Sequence, residues 1–145
     1  MVLGAGCSSA RRVEPPSPVP SGWPVSQRTA VISSWYGVPR GDSIHRGVDL
    51  SAAEGSLVVA TAPGRISFAG KSGDFGRLVV IDHGDGWRTR YAHLKKIMTK
   101  EGRQVGRGQV IGTVGKSGNA TGYHLHYEVL HNGVNRNPEP YLSSR

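Results

Sequence analysis

Polar and apolar residues alternate along several short stretches of the chain. In TGYHLHYEV, residues 121–129, Leu125, Tyr127 and Val129 fall on one side, while His124 and His126 fall on the other. A period of two belongs to a strand, where successive side chains point to opposite faces. SLVVATA, PGRISFAG, RLVVIDHG, GWRTRYAHL and QVIGTVG read as further strands, with a turn at Pro63-Gly64. RLVVIDHG and GWRTRYAHL meet at Gly84-Asp85-Gly86, a strong hairpin signal, and Asn132-Gly133 turns the chain after HLHYEVLH. No helical window of convincing length is present, although LKKIMTKEG has room for one turn. The pattern predicts an all-β fold: a single, antiparallel, mostly β domain without repeats.

Composition sharpens the boundaries. At 145 residues the chain suits one domain with one core. SSARRVEPPSPVPSGWPVSQR, residues 8–28, holds most of the prolines with little periodic apolar signal, and reads as an extended tether. We therefore expect an N-terminus and Pro-rich tether over 1–28 and a folded domain over 29–145. No stretch approaches the ~20 apolar residues of a membrane helix. The net charge of +8 predicts attraction to polyanions, whether nucleic acid, an anionic membrane surface or an acidic wall polymer, and charge alone does not choose. Cys7 is the only cysteine, which excludes an internal disulfide and any multi-cysteine zinc site. Its context, VLGAGCSS, looks like the end of a lipoprotein signal, so a lipid anchor through Cys7 and an incidental free thiol are the two expectations there.

The chemistry lies in the six histidines. His131, just before the Asn132-Gly133 turn, is expected in solvent, and His83, at a strand end before Gly84, in a structural role. His124 and His126 project from one strand face about 7 Å apart at ~3.3 Å per residue, so both imidazoles reach one small site. His45 precedes Asp49 by four residues with Gly47 between, which predicts an extended or bent segment that brings the two together. HxxxD paired with HxH supplies the mixed nitrogen and oxygen set of catalytic zinc: three protein ligands and one open position. His93 is expected at a strand end, on the face of Tyr91 and Thr89. Four histidines and an aspartate exceed what an open zinc site binds, so some act as acid, base or oxyanion groups. Spacing does not say which, and a three-histidine site holding both His124 and His126 is physically allowed.

HRGVD, YAHL and TGYHLHYEV, in that order and with GRGQVIGTVGKSG before the last, resemble the lysostaphin-type (LytM-like) zinc endopeptidases that cut peptidoglycan cross-links. The likeness runs from about Ser34 to Leu142 and includes SSWYGVPR. It implies a LytM-like fold of the duplicated-hybrid-motif type, one Zn2+ per chain held by His45, Asp49 and His126, and His93 and His124 as catalytic histidines. Tyr123 stands where the family often has Pro, and Val38-Pro39 lengthens the spacing before Arg40. Peptidoglycan is the implied partner and the bacterial cell envelope the implied location, as a periplasmic protein or outer-membrane lipoprotein. The bond cut is either D-Ala to diaminopimelate, as a lipoprotein-like start suggests, or Gly-Gly. One rival is a catalytically silent activator or wall-binding module, which predicts missing ligands. The other is a nucleic-acid-binding barrel, suggested by WRTRY and the charge, which leaves the histidines unexplained; nucleic acid is not an expected partner.

Overall fold

The computed structural model of the chain describes residues 17–143; Cys7 and the first part of the tether lie outside them. In chain order the strands are β1 (Val31–Ser34), β2 (Pro39–Arg40), β3 (Ser43–Ile44), β4 (Val48–Ser51), β5 (Leu57–Val59) and β6 (Gly64–Lys71). They continue with β7 (Arg77–Gly84), β8 (Trp87–Ile97), β9 (Gln104–Val105), β10 (Val110–Val114), β11 (His124–His131) and β12 (Val134–Arg136), then helix α1 (Glu139–Leu142). Ten strands form one sheet ordered β1-β4-β11-β8-β7-β6-β9, with β12 on β11 and β10 joining β5 to β8; β2 and β3 form a separate hairpin. The pairings are antiparallel, as the alternation predicts. LKKIMTKEG makes no helix: β8 runs on to Ile97 and the chain then turns.

Both expected hairpins form. Asp85 and Gly86 sit at φ 53° and 84°, and Asn132 and Gly133 at 52° and 79°. Two consecutive positive φ values match the right-handed twist of the flanking strands. The core lies on one face of the sheet, where Leu50, Ile66, Val79, Ile81, Tyr91, Leu94, Ile111, Leu125, Tyr127 and Val129 are fully buried. In WRTRY the aromatic face turns inward: Tyr91 is buried and Trp87 stacks on His131 at 4.0 Å. His131 is thus half-covered, and its Nε2 donates to the Asp85 carbonyl.

Packing begins before Thr29, earlier than the prolines suggest. Val25 is 1% exposed and bridges Val58 in antiparallel fashion, and Trp23 packs on the core. The Arg107 guanidinium donates to the carbonyls of Ser17, Val19, Ser21 and Thr61, and Gly22 N–H donates to the Tyr141 carbonyl at 2.9 Å. Prolines favour an extended segment with few internal hydrogen bonds, the Val19 N–H donating to the Ser17 hydroxyl, which leaves its carbonyls for Arg107 and its apolar residues for the core.

His83 takes a structural place. Its Nδ1 donates to the Pro63 carbonyl at 2.8 Å, and its Nε2 lies 2.8 Å from Thr89 Oγ1. Thr89 continues through Tyr91, Thr61 and Tyr127 in a buried chain of hydroxyls. Burial pushes the imidazole below its ordinary range, only partly opposed by the Pro63 hydrogen bond. With a folded pKa below the unfolded value of about 6.5, His83 contributes stability that is present above that pH and lost as pH falls through the folded pKa. His83→Leu should therefore cost about 1–3 kcal/mol at pH 7.5, from polar groups left unpaired. The gap to the parent should narrow as melts are repeated toward pH 5. A gap that is constant with pH would show that the imidazole does not titrate against folding.

Candidate functional site

Strand β11 fixes the site. Leu125, Tyr127 and Val129 enter the core, so His124, His126 and Glu128 must share the opposite face. In the ladder β4 lies beside β11 with Asp49 directly opposite His126, and β1 lies beyond with Ser34 opposite Asp49. His45 reaches the same place because residue 47 is glycine. A Cβ there would stand 2.3 Å from the Tyr127 carbonyl and 3.1 Å from His126 Cε1, so any other residue would lift the segment off β11.

Three atoms converge. His45 Nε2 is 3.1 Å from Asp49 Oδ1 and 3.2 Å from His126 Nδ1, and His126 Nδ1 is 3.0 Å from Asp49 Oδ1. Each imidazole has its other nitrogen engaged from outside. His45 Nδ1 donates to the Trp35 carbonyl at 2.9 Å, and His126 Nε2 donates to Glu128 Oε2 at 2.8 Å. In the neutral rings those partners would set the tautomers and leave a lone pair on each inner nitrogen, on the side of the carboxylate oxygen. Two lone pairs and an anion repel one another unless positive charge lies between them. Accordingly, burial works against charge on His126, yet hydrogen bonds to Asp49 and Glu128 outweigh it and raise the imidazole to about 9. Burial likewise pushes the Asp49 carboxyl up, but the His126 and His45 hydrogen bonds hold it well below the usual range. The donor set is one that could hold a cation: all three atoms lie within 4.8 Å of one another.

His93 arrives by a different route from the one the alternation predicts. It lies within β8 and not at its end, and it does not share a face with Tyr91 and Thr89. Between the pairs Val79–Tyr91 and Arg77–Leu94, β8 carries one residue more than β7, and His93 has φ 62°. This is a β-bulge. Tyr91 and Leu94 both stay in the core while the extra residue swings out beside Ala92, which faces His126. The His93 ring centroid is 5.0 Å from that of His124 and 6.0 Å from that of His126. Its Nδ1 donates to the Ser117 carbonyl at 2.8 Å. Burial, with the charges of His124 and His126, holds its pKa below the ordinary value despite that hydrogen bond, so the ring is neutral at pH 7. His124 donates from Nδ1 to the Gly122 carbonyl and has Nε2 3.7 Å from Asp49 Oδ2.

All five residues singled out in the sequence thus line one cleft of about 810 Å³, with Arg40, Phe75, Asn119 and Thr121 on its walls. The loops of Phe75 and Asn119 touch backbone to backbone: a Cβ on Gly118 would stand 2.4 Å from Gly76 N. Ser117 ties them to the sheet, its hydroxyl donating to the Leu94 carbonyl and accepting from Arg77 N–H. Glu128 escaped the sequence reading. It is 2% exposed and bonds Arg90 and Asn135 as well as His126. The period that pairs His124 with His126 reaches it in one more step.

Fold and site together define an antiparallel β domain with a buried, cation-compatible donor cluster on the floor of an open cleft. The chain belongs to peptidase family M23, whose model matches residues 43–138. Over 95 residues it is 46% identical to the DD-carboxypeptidase/endopeptidase Mpg of Neisseria meningitidis serogroup B, covering 66% of this chain and 22% of that protein. It is 32% identical over 124 residues to the murein hydrolase activator NlpD of Escherichia coli, covering 85% of this chain and 31% of that one. The solved catalytic domain of the antimicrobial peptidase lysostaphin from Staphylococcus simulans matches with a TM-score of 0.74 at 34% identity, covering 79% of this chain and 93% of that one. The lysostaphin-type resemblance holds. The chain spans less than a third of the length of these two curated relatives.

Proposed function

We propose that the protein is a zinc-dependent endopeptidase of the bacterial cell envelope that hydrolyses peptide cross-links of peptidoglycan. His45, Asp49 and His126 would hold one Zn2+, and His93 and His124 would act on the reacting atoms. The observation that carries this is the triangle of donor atoms with both imidazole tautomers set from outside. Two nitrogens and one carboxylate oxygen suit zinc with a position left open. Bound there, zinc lowers the pKa of a water toward ~7 and polarises a carbonyl.

The chain's own groups do the rest. His93 is neutral and held through Nδ1, so its Nε2 is free to take a proton from the attacking water and return it to the leaving amine. His124, edge-on to His93 with ring centroids 5.0 Å apart, would hydrogen-bond the oxyanion that develops on the scissile carbonyl. The similarity to NlpD favours a second reading, an activator of other wall hydrolases that cuts nothing itself. The complete donor set weighs against it. Incubating the purified chain with sacculi, with and without chelator, and identifying released muropeptides by mass separates the two. Release that stops with chelator supports the peptidase. Release seen only when another hydrolase is added supports the activator.

Glu128 supplies a prediction for the same site. Glu128→Ala removes the acceptor that orients His126, and should weaken zinc binding about 10- to 100-fold, read by competition with a chromophoric chelator. Glu128→Gln, which keeps an acceptor, should recover most of it. Equal affinity in Glu128→Ala and the parent would mean that His126 needs no outer partner.

A further inference from the structure

Arg40 is the one lysine or arginine among the residues lining the cleft. It ends β2, and the base of the β2–β3 hairpin is pinned to His45, whose N–H donates to the Val38 carbonyl and whose carbonyl accepts from Gly37 N–H, both at 2.8 Å. The backbone that carries the cation is therefore set at a fixed place relative to the donor triangle. Its Nη2 donates to the neutral Ser34 hydroxyl at 2.7 Å and lies 3.8 Å from Asp49 Oδ2, outside hydrogen-bond range. The Asp49 oxygen in hydrogen-bond contact, Oδ1, is committed to His45 and His126. Among the described residues Arg40 Nε and Nη1 have no acceptor, and the side chain is 47% exposed. A guanidinium held by a hydroxyl, with two donor positions unfilled in a cleft, is shaped to receive a carboxylate.

Presupposing the peptidase activity proposed above, we propose that Arg40 binds the carboxylate carried by the substrate carbon attached to the leaving nitrogen. The chemistry of wall peptides makes this selective. A terminal D-Ala-D-Ala and a D-Ala-diaminopimelate cross-link both carry a free carboxylate on that carbon, whereas a Gly-Gly bridge carries an amide carbonyl there. Hydrolysis adds water across the amide, the hydroxyl going to the D-Ala carbonyl carbon and a proton to the nitrogen, and the Arg40-bound carboxylate leaves unchanged with the amine. Arg40 thus directs the site to D,D bonds and away from glycine bridges.

The test uses zinc-loaded protein and two pairs of peptides. One pair is a stem peptide ending in D-Ala-D-Ala, as free acid and as carboxamide. The other is a dimer cross-linked through D-Ala-diaminopimelate, with the carboxylate beside the cross-link free or amidated. The pair that is cut identifies the natural source of the carboxylate. The parent should favour the acid by about 10- to 100-fold in kcat/KM. In Arg40→Gln that preference should collapse toward unity through a higher KM on the acid, with zinc content unchanged, and Arg40→Lys should restore part of it. Loss of zinc in Arg40→Gln, or an equal fall on acid and amide, would overturn the proposal and make Arg40 a support for Asp49. Calorimetric titration of the same peptides runs alongside. If nothing is cut but the acid still binds better in an Arg40-dependent way, the peptidase reading fails and the carboxylate site stands; binding without preference overturns the site.

Discussion

His126→Ala should bind zinc so much more weakly than the parent that it is purified without the metal and releases no muropeptides. The loss should exceed the roughly 10- to 100-fold that removing an outer partner costs, because His126 supplies a corner of the triangle and its neighbours depend on it. Without His126 Nδ1, Asp49 Oδ1 keeps one nitrogen contact of two, and buried Glu128 loses its imidazole donor. His45→Ala should behave alike. His124→Ala should not: its Nε2 is 3.7 Å from the outer oxygen of Asp49 and takes no part in the triangle. Metal content by elemental analysis, beside muropeptide release, decides between the schemes. If His124→Ala loses metal as readily as His126→Ala, the site is of the three-histidine kind.

Turnover in His93→Ala and His124→Ala should fall on the order of 10²-fold to 10⁴-fold, the range of general acid-base help, with close to one zinc retained. His93 calls for a control because it sits at φ 62°. Alanine in that conformation costs about 1–2 kcal/mol, whereas asparagine adopts it more readily. His93→Asn should melt nearer the parent than His93→Ala and yet be equally inactive. Activity regained by His93→Asn would mean that the bulge, and not the imidazole, is what turnover requires.

Much of this architecture could be read from the chain. The strands of PGRISFAG, RLVVIDHG, GWRTRYAHL and HLHYEVLH come from alternation, and their hairpins from Asp85-Gly86 and Asn132-Gly133. β1 to β4 were not separated, for a physical reason. β4 is covered on both faces and has no alternation, and the others are two to four residues long. Val25 was hidden because proline marks a lack of internal hydrogen bonding, which serves a free tether and a docked strand equally well. His45, Asp49, His93, His124 and His126 were picked out by HxxxD and HxH together with the lysostaphin-type resemblance, because HxxxD alone arises often by chance and spacing does not divide ligands from acid-base groups. The face of His93 was not legible, because a bulge alters the count of residues between partners, a property of two strands jointly. Glu128 lies on the same periodic face as the histidines, but a single strand carboxylate without a spaced partner carries no signal of its own.

The hydrogen bond between Gly22 and Tyr141 has a mechanical consequence. The backbone comes onto the sheet and departs from it at neighbouring points, so polypeptide joined at the two sides meets at one small junction. Tension between those flanks would load the Arg107 contacts to Ser17 and Val19 and then that junction, before the ladders that hold Asp49 against His126. A domain strung this way can be carried within a longer protein, and tugged by it, while its cleft keeps its shape.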